Sequence, residues 1–166
     1  ALVWFLSARV MSLSLPVATG AFALYSILNG VTLSPIFLIY TSESIASTFF
    51  ITAGTFGAMA LYGYMTKRDL TRLGSLLFMA LIGVIIATVV NIFLRSEILM
   101  WIITYAGIVL FVGLTAYDTQ KVKQLAAQTA HDEELSKKVS IIGALNLYLD
   151  FINLFLYLLR LFGRRN

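Results

Sequence analysis

The chain has 166 residues, of which 60% are hydrophobic and only 12% are charged, and its mean hydropathy is +0.90. Soluble domains are roughly 45–50% apolar and about 25% charged, so this composition indicates a membrane protein and excludes a soluble enzyme. The net charge of +4 is too weak and too scattered for a nucleic-acid surface. With no cysteine and one histidine, His131, the chain lacks the residues for disulfides, thiol catalysis and most metalloenzyme sites.

Five complete membrane spans are predicted, because a spanning helix needs about 20 mostly apolar residues. They lie at 16–42, 44–66, 73–94, 98–117 and 141–163. Residues 1–8 are apolar but too few to cross, so we expect them to end a helix whose start is missing. We therefore interpret residues 1–166 as a single transmembrane bundle domain, a fragment that lacks the N-terminal helix and most of the second. The predicted fold class is all-α, a polytopic membrane helix bundle.

Two local patterns predict how individual spans behave. The pairs Asn29-Gly30 and Ser34-Pro35 are expected to kink or break the first complete span, since proline removes a backbone hydrogen bond. Small residues at helical spacing predict close packing of the second span against a neighbour, and these are Ala53, Gly54, Gly57 and Ala58.

Charged residues predict the orientation of the bundle. Residues 119–140 hold the largest group of charged residues outside the spans and are predicted to form the only sizeable aqueous loop. If spans alternate, this loop lies on the same side as Arg9, Lys67, Arg68 and Arg72. The positive-inside rule places that side in the cytoplasm and the C-terminus on the opposite side, unless the last segment is re-entrant.

Asp150 lies in the middle of the last span, where a carboxylate costs at least about 2.5–3.5 kcal/mol to insert, and such residues are functional candidates by default. It belongs to a polar stripe at helical spacing: Gly143, Asn146, Asp150, Asn153, Tyr157, Arg160 and Arg164. Asn146 and Asn153 line this stripe, either as interhelical hydrogen-bonding groups or as walls of a polar path.

Asp118 ends the preceding predicted span, where it is either a solvated boundary residue or a second intramembrane acid. The segment after it contains no helix breaker, so we predict that the helix continues at least a turn beyond Gln120 and brings Asp118 within reach of Asp150. Arg9 faces the same side, either as an ordinary flanking residue or as a partner of these acids.

The stretches LTAYDTQKVK and LYLDFINLFLYLLRLFG, around the two aspartates, closely resemble the signature of the transmembrane Bax inhibitor motif family in its bacterial branch. NGVTLSPIFLIYT and STFFITAGTFGAMALYGYMTKRDLTRLGSLLFMALIG resemble the same family, so the likeness covers nearly the whole chain. It implies a seven-helix fold with the last helix at the centre, in the bacterial inner membrane.

The resemblance also implies a function, that of a pH-sensitive calcium leak channel. In it two aspartates form a proton-sensing pair, and Asp118 and Asp150 match them. Arg9 matches a basic residue that interacts with the pair, although a short gap interrupts the match. Calcium would be transported or transiently held by the two carboxylates, with no resident cofactor. The expected partners are the lipid bilayer, calcium and protons.

Other functional classes remain open. An interaction protein that modulates a membrane-bound AAA protease, or stress and cell-death regulators, would use residues 119–140 and the termini. An intramembrane aspartyl protease also carries two aspartates, but Asp150 follows Leu147, Tyr148 and Leu149 rather than the glycines that its second motif requires. A substrate-coupled transporter is not supported by any inverted repeat. We therefore expect a protein that is not an enzyme.

Overall fold

The computed structural model describes residue 9 and residues 12–166, and this part of the chain is a bundle of long helices. Their bounds are α1 Leu15–Leu33, α2 Ile36–Ile39, α3 Ser42–Met65, α4 Thr71–Leu94, α5 Glu97–Gln128 and α6 Glu133–Phe162. Five spans within the described residues are long and apolar enough to cross a membrane, with α1 and α2 together forming the first. This confirms the five predicted spans, whereas the predicted partial span at residues 1–8 lies outside the described residues.

The first span begins and breaks at its prolines. Helix α1 begins at Leu15 with Pro16 in its first turn, where the missing N–H of proline costs no hydrogen bond. The helix runs through Asn29 and Gly30 without interruption and ends at Leu33. Ser34 and Pro35 then separate it from α2. The predicted break is therefore confirmed at the second pair and wrong at the first.

A tight turn joins α4 to α5, as the sequence predicts. Arg95 adopts a left-handed conformation with φ of 51°, which ends α4. The Asn91 side chain accepts a hydrogen bond from the backbone N–H of Ser96 at 2.9 Å. The Ser96 hydroxyl in turn accepts from the N–H of Leu99 at 3.3 Å and caps α5.

The prediction that residues 119–140 form an aqueous loop is wrong. Helix α5 continues to Gln128, and α6 begins at Glu133, so only a short turn separates them. The Asp132 side chain caps α6 by accepting from the N–H of Leu135 at 3.0 Å. The predicted extension of α5 beyond Gln120 is confirmed, and Asp118 lies well inside the helix.

The centre of the bundle is formed by α5 and α6 together. Helix α5 packs against α3, α4 and α6, while α6 also packs against α3 and α1. Their facing sides hold most of the buried apolar residues, including Leu110, Leu114 and Leu154. The outer faces of the bundle carry exposed large apolar side chains such as Phe50 and Phe93. Such a surface suits a hydrocarbon environment.

Close helix packing uses other glycines than the predicted ones. A Cβ placed on Gly54 or Gly57 would meet no atom within 4 Å, so these positions make no tight contact with the described residues. Gly63, in contrast, lies directly against the backbone of Ala116 on α5. Gly107 lies against the ring of Tyr157. The predicted close packing at Gly54 and Gly57 is therefore not found in the described bundle.

The C-terminal tail, residues 163–166, folds back onto the start of α3. The carbonyl of Arg164 accepts from the N–H of Thr41 at 3.1 Å, and the N–H of Asn166 donates to the carbonyl of Ile39 at 2.9 Å. We call this the tail end of the bundle. The opposite end, with the 66–70 and 129–132 connections, is the basic end. Helix α6 runs between them without a break, so the last segment is not re-entrant.

Candidate functional site

The two predicted aspartates meet across the contact between α5 and α6. Their carboxyl groups lie within hydrogen-bonding reach of each other. Asp150 is only 4% exposed, and its Oδ2 is buried with no hydrogen-bond partner among the described residues. A hydrogen bond between two carboxyl groups requires that one of them be protonated.

A large cavity reaches the pair from the side. Its volume is about 990 Å³, and it lies between α4 and α6 with α5 behind it. Most of its wall is apolar, supplied by α4 and by the core. Its polar lining is concentrated on α5 and α6 and includes Tyr117, Asp118, Lys121, Asn146, Asp150, Asn153 and Tyr157. Water or an ion in this cavity would therefore meet both carboxylates.

The predicted polar stripe divides along α6. Asn146 and Asn153 both line the cavity. Asn153 donates its amide to the carbonyl of Leu149 on its own helix at 2.7 Å, not to another helix. Gly143 instead packs against Val122 of α5, where a Cβ would clash.

Arg9 does not join the pair in this conformation. Its side chain is exposed, and no ion pair among the described residues links it to Asp118 or Asp150. Its backbone carbonyl accepts from the N–H of Leu13 at 3.1 Å. Lys121 instead places a positive charge near Asp118. The predicted interaction of Arg9 with the aspartate pair therefore stays a prediction.

Lys121 and Tyr117 are site residues that the sequence reasoning missed. Lys121 lies one helical turn after Asp118, and its ammonium group stands 5.9 Å from the centre of the Tyr117 ring. That ring fills the space left by Gly74 on α4. Helical spacing points to Lys121, which lies one turn after Asp118 on a helix that the sequence predicts to continue, but charge alone assigns the same segment to an aqueous loop.

Gln120 fastens the connection between α3 and α4 to α5, two residues after Asp118. Its side chain is 8% exposed, accepts from the N–H of Leu70 at 3.0 Å and donates to the carbonyl of Arg68 at 2.8 Å. Nearby, the hydroxyl and then the N–H of Thr71 donate to the Asp69 carboxylate, and these bonds hold the pKa of Asp69 below its usual value. Gln120 thereby links the connection between α3 and α4 to α5.

The pair supplies few ligands for a resident metal. In the described part of the chain no group of three or more His, Cys, Asp or Glu side chains could hold a metal ion. Calcium takes six to eight oxygen ligands in proteins. The wall of the cavity offers the two carboxylates and the amides of Asn146 and Asn153 as oxygen ligands.

These features define an all-α, multi-pass membrane protein with a pair of carboxyl groups inside the bundle. Comparison with known proteins narrows the class further. A family model described as "Inhibitor of apoptosis-promoting Bax1" matches residues 1–166, so the chain belongs to the Bax inhibitor-1 family. The resemblance expected from the sequence is thereby confirmed.

Bacterial relatives agree with this assignment. The Escherichia coli protein named "Inner membrane protein YbhL" is 61% identical over 166 residues, which cover 99% of this chain and 71% of the relative. A Borreliella burgdorferi protein is 51% identical over 164 residues, with the same two coverages. A Deinococcus radiodurans protein is 41% identical and matches 100% of this chain and 71% of its own length. The predicted location in a bacterial membrane, crossed several times, is confirmed.

Proposed function

We propose that this protein is a pH-sensitive calcium leak channel in which Asp118 and Asp150 form the proton-sensing pair. The observation that carries the proposal is the pairing of two carboxyl groups inside the bundle, on the wall of a large cavity. Burying an acid without a partner is costly, and an amide would serve hydrogen bonding alone without that cost. A carboxyl pair is useful where a proton must be gained and lost.

The physical basis of the sensor is charge repulsion. Two carboxylates held this close cannot both ionise cheaply, so the pair shares one proton and titrates as a unit. Loss of that proton leaves two negative charges in contact. The charges then either separate, which moves α5 relative to α6, or attract a cation from the cavity. Calcium, which prefers oxygen ligands, is such a cation.

Basic side chains compete with calcium for the same charge. Lys121 lines the cavity beside Asp118 and neutralises it partly without entering the pair. Arg9 would reach the pair only after a rearrangement of the basic end. Competition between the proton, the cation and these basic side chains for the carboxylates then sets whether the channel conducts. We propose no enzymatic step at the site.

The test is calcium flux into liposomes that contain only the purified full-length protein, measured at several pH values on both sides of neutrality. We expect flux that changes with pH in the wild type. Asp150→Asn should remain folded, because the amide keeps the hydrogen-bonding capacity, and should show flux without that pH dependence. Asp69→Asn makes the same chemical change at an exposed carboxylate and should keep the wild-type profile.

Two outcomes would contradict the proposal in different ways. A wild-type pH profile in Asp150→Asn would remove the aspartate from the sensor. Background flux in the wild type at every pH would instead favour an interaction protein, for example a modulator of a membrane-bound protease. In that case co-purification from membranes would identify a partner, and the aspartate pair would be structural.

A further inference from the structure

The cavity beside the aspartate pair opens toward the hydrocarbon layer. Among the described helices, α4 packs mainly against α5, and the gap between α4 and α6 forms the mouth of the cavity. Four apolar side chains of α4 both line the cavity and are at least half exposed, namely Phe78, Met79, Ile85 and Val89. Helix α4 is itself one of the spans that are long and apolar enough to cross a membrane. Molecules of the bilayer therefore have lateral access to the cavity.

The aspartate pair stands at the basic end of this cavity. The Gln120 side chain, two residues after Asp118, accepts from the N–H of Leu70, where α4 begins. Asp118 is therefore level with the first turn of α4. The wall of the cavity continues along α4 from Gly74 to Val89, which is about 22 Å along the helix axis. The cavity is thus a long groove, apolar on the α4 side, with two carboxyl groups at one end.

Asp150 supplies an acceptor without a partner at this end of the groove. It is 4% exposed and lines the cavity, and its buried Oδ2 has no hydrogen-bond partner among the described residues. The Asn153 amide, one turn further along α6, donates to the carbonyl of Leu149 on its own helix. The positive charge of Lys121 acts on Asp118. An unpaired buried acceptor is costly, and a donor that enters through the cavity would satisfy it.

A cation with one apolar chain matches the groove in charge and in shape. Its protonated amine would donate to the carboxyl pair, and its chain would run along α4 toward the tail end. Hydrogen bonds between an ammonium group and a carboxylate are about twice as strong as neutral ones. An alcohol of the same length would form only the neutral bond, and a carboxylate head group would be repelled by the pair.

We propose that this cavity binds an amphiphilic amine, a molecule with a single apolar chain that ends in a protonated amine, and that the amine is held by Asp118 and Asp150. Binding itself requires only the groove and the carboxyl pair. The ligand occupies the same carboxyl groups as the proposed calcium sensor, so it should compete there with calcium. That consequence rests on the proposed function.

The experiment measures binding of radiolabelled dodecylamine to the purified full-length protein in nanodiscs at neutral pH, where the amine is protonated. Empty nanodiscs give the background of partition into lipid. We expect saturable binding to the wild type, displaced by unlabelled dodecylamine and not by dodecanol or dodecanoate. Asp150→Asn should weaken binding roughly tenfold to a hundredfold, the factor for a hydrogen bond to a charged group. Asp69→Asn changes an exposed carboxylate and should bind as wild type.

Two tryptophan substitutions on α4 test the groove without changing the carboxyl groups. Ile85 lines the cavity and Ile86 does not, yet both side chains are more than half exposed. Ile85→Trp should fill the groove and remove most of the binding, whereas Ile86→Trp should bind as wild type. Equal binding by these two variants would overturn the proposal. Displacement by dodecanol as strong as that by dodecylamine would also overturn it, because the charge would then play no part.

Calcium flux separates a failure of this inference from a failure of the leak. In liposomes that contain the full-length protein, dodecylamine should inhibit calcium flux at the concentrations at which it binds, with protein-free liposomes as the control for damage to the bilayer. Saturable binding without any calcium flux would support the ligand site and refute the leak. Flux that changes with pH, in a protein that shows no saturable amine binding, would refute the ligand site alone.

Discussion

Replacing Gly63 by alanine should weaken the contact that holds α3 against α5. A Cβ at this position would overlap the carbonyl group of Ala116 and lie 2.8 Å from its Cα. The obstacle is backbone on α5, which cannot rotate away as a flexible side chain can. The two helices would have to separate, and the core near Ala116, which is 1% exposed, would open.

The expected cost follows from two opposing terms. Overpacking a close contact costs about 1–3 kcal/mol, and a backbone obstacle places Gly63→Ala toward the upper part of this range. Alanine recovers roughly 0.5–1 kcal/mol relative to glycine inside a helix. The net destabilisation should therefore be about 1–2 kcal/mol.

The assay is unfolding of the purified protein from mild detergent into SDS, followed by circular dichroism or tryptophan fluorescence. Gly57→Ala is the matched control on the same helix, because a Cβ there meets no atom within 4 Å. It should be as stable as wild type or slightly more stable. If the two variants unfolded alike, the tight α3–α5 contact would not exist in the membrane protein.

Two further predictions concern the site. Asp118→Asn and Asp150→Asn should be non-additive, because either change removes the shared proton. The double variant should therefore have the same pH profile of calcium flux as either single variant. A sum of two separate effects would show that the acids titrate independently. Gln120→Ala should destabilise the protein by about 1–3 kcal/mol in SDS unfolding, because it leaves the N–H of buried Leu70 without a partner. Gln124 is exposed on the same helix, so the control Gln124→Ala should stay within about 0.5 kcal/mol of wild type.

The contact between the two aspartates can be predicted from the sequence only if α5 continues past Asp118. Counted as simple apolar spans, Asp118 lies at a membrane boundary and Asp150 near the middle, so the two depths differ. The absence of a helix breaker after Asp118 predicted a longer α5, and α5 does extend to Gln128. The same absence of a breaker argues against an aqueous loop at 119–140, which charge alone predicts, and the structure has helix over most of this segment.

Composition and periodicity by themselves determined the membrane class, the five spans, the break at Pro35 and the polar stripe on α6. These are properties of single segments, and hydrophobic length and helical spacing report them directly. The family signature around Asp118 and Asp150 also required only the order of residues.

The tertiary structure alone decided which groups meet. Gln120 reaches Leu70, 50 positions away, and Gly63 rather than Gly57 touches α5. Lys121, not Arg9, stands beside the pair. Such outcomes depend on the rotation and register of whole helices against one another. Those are set by the summed packing of many side chains, and no local pattern in the sequence records that sum.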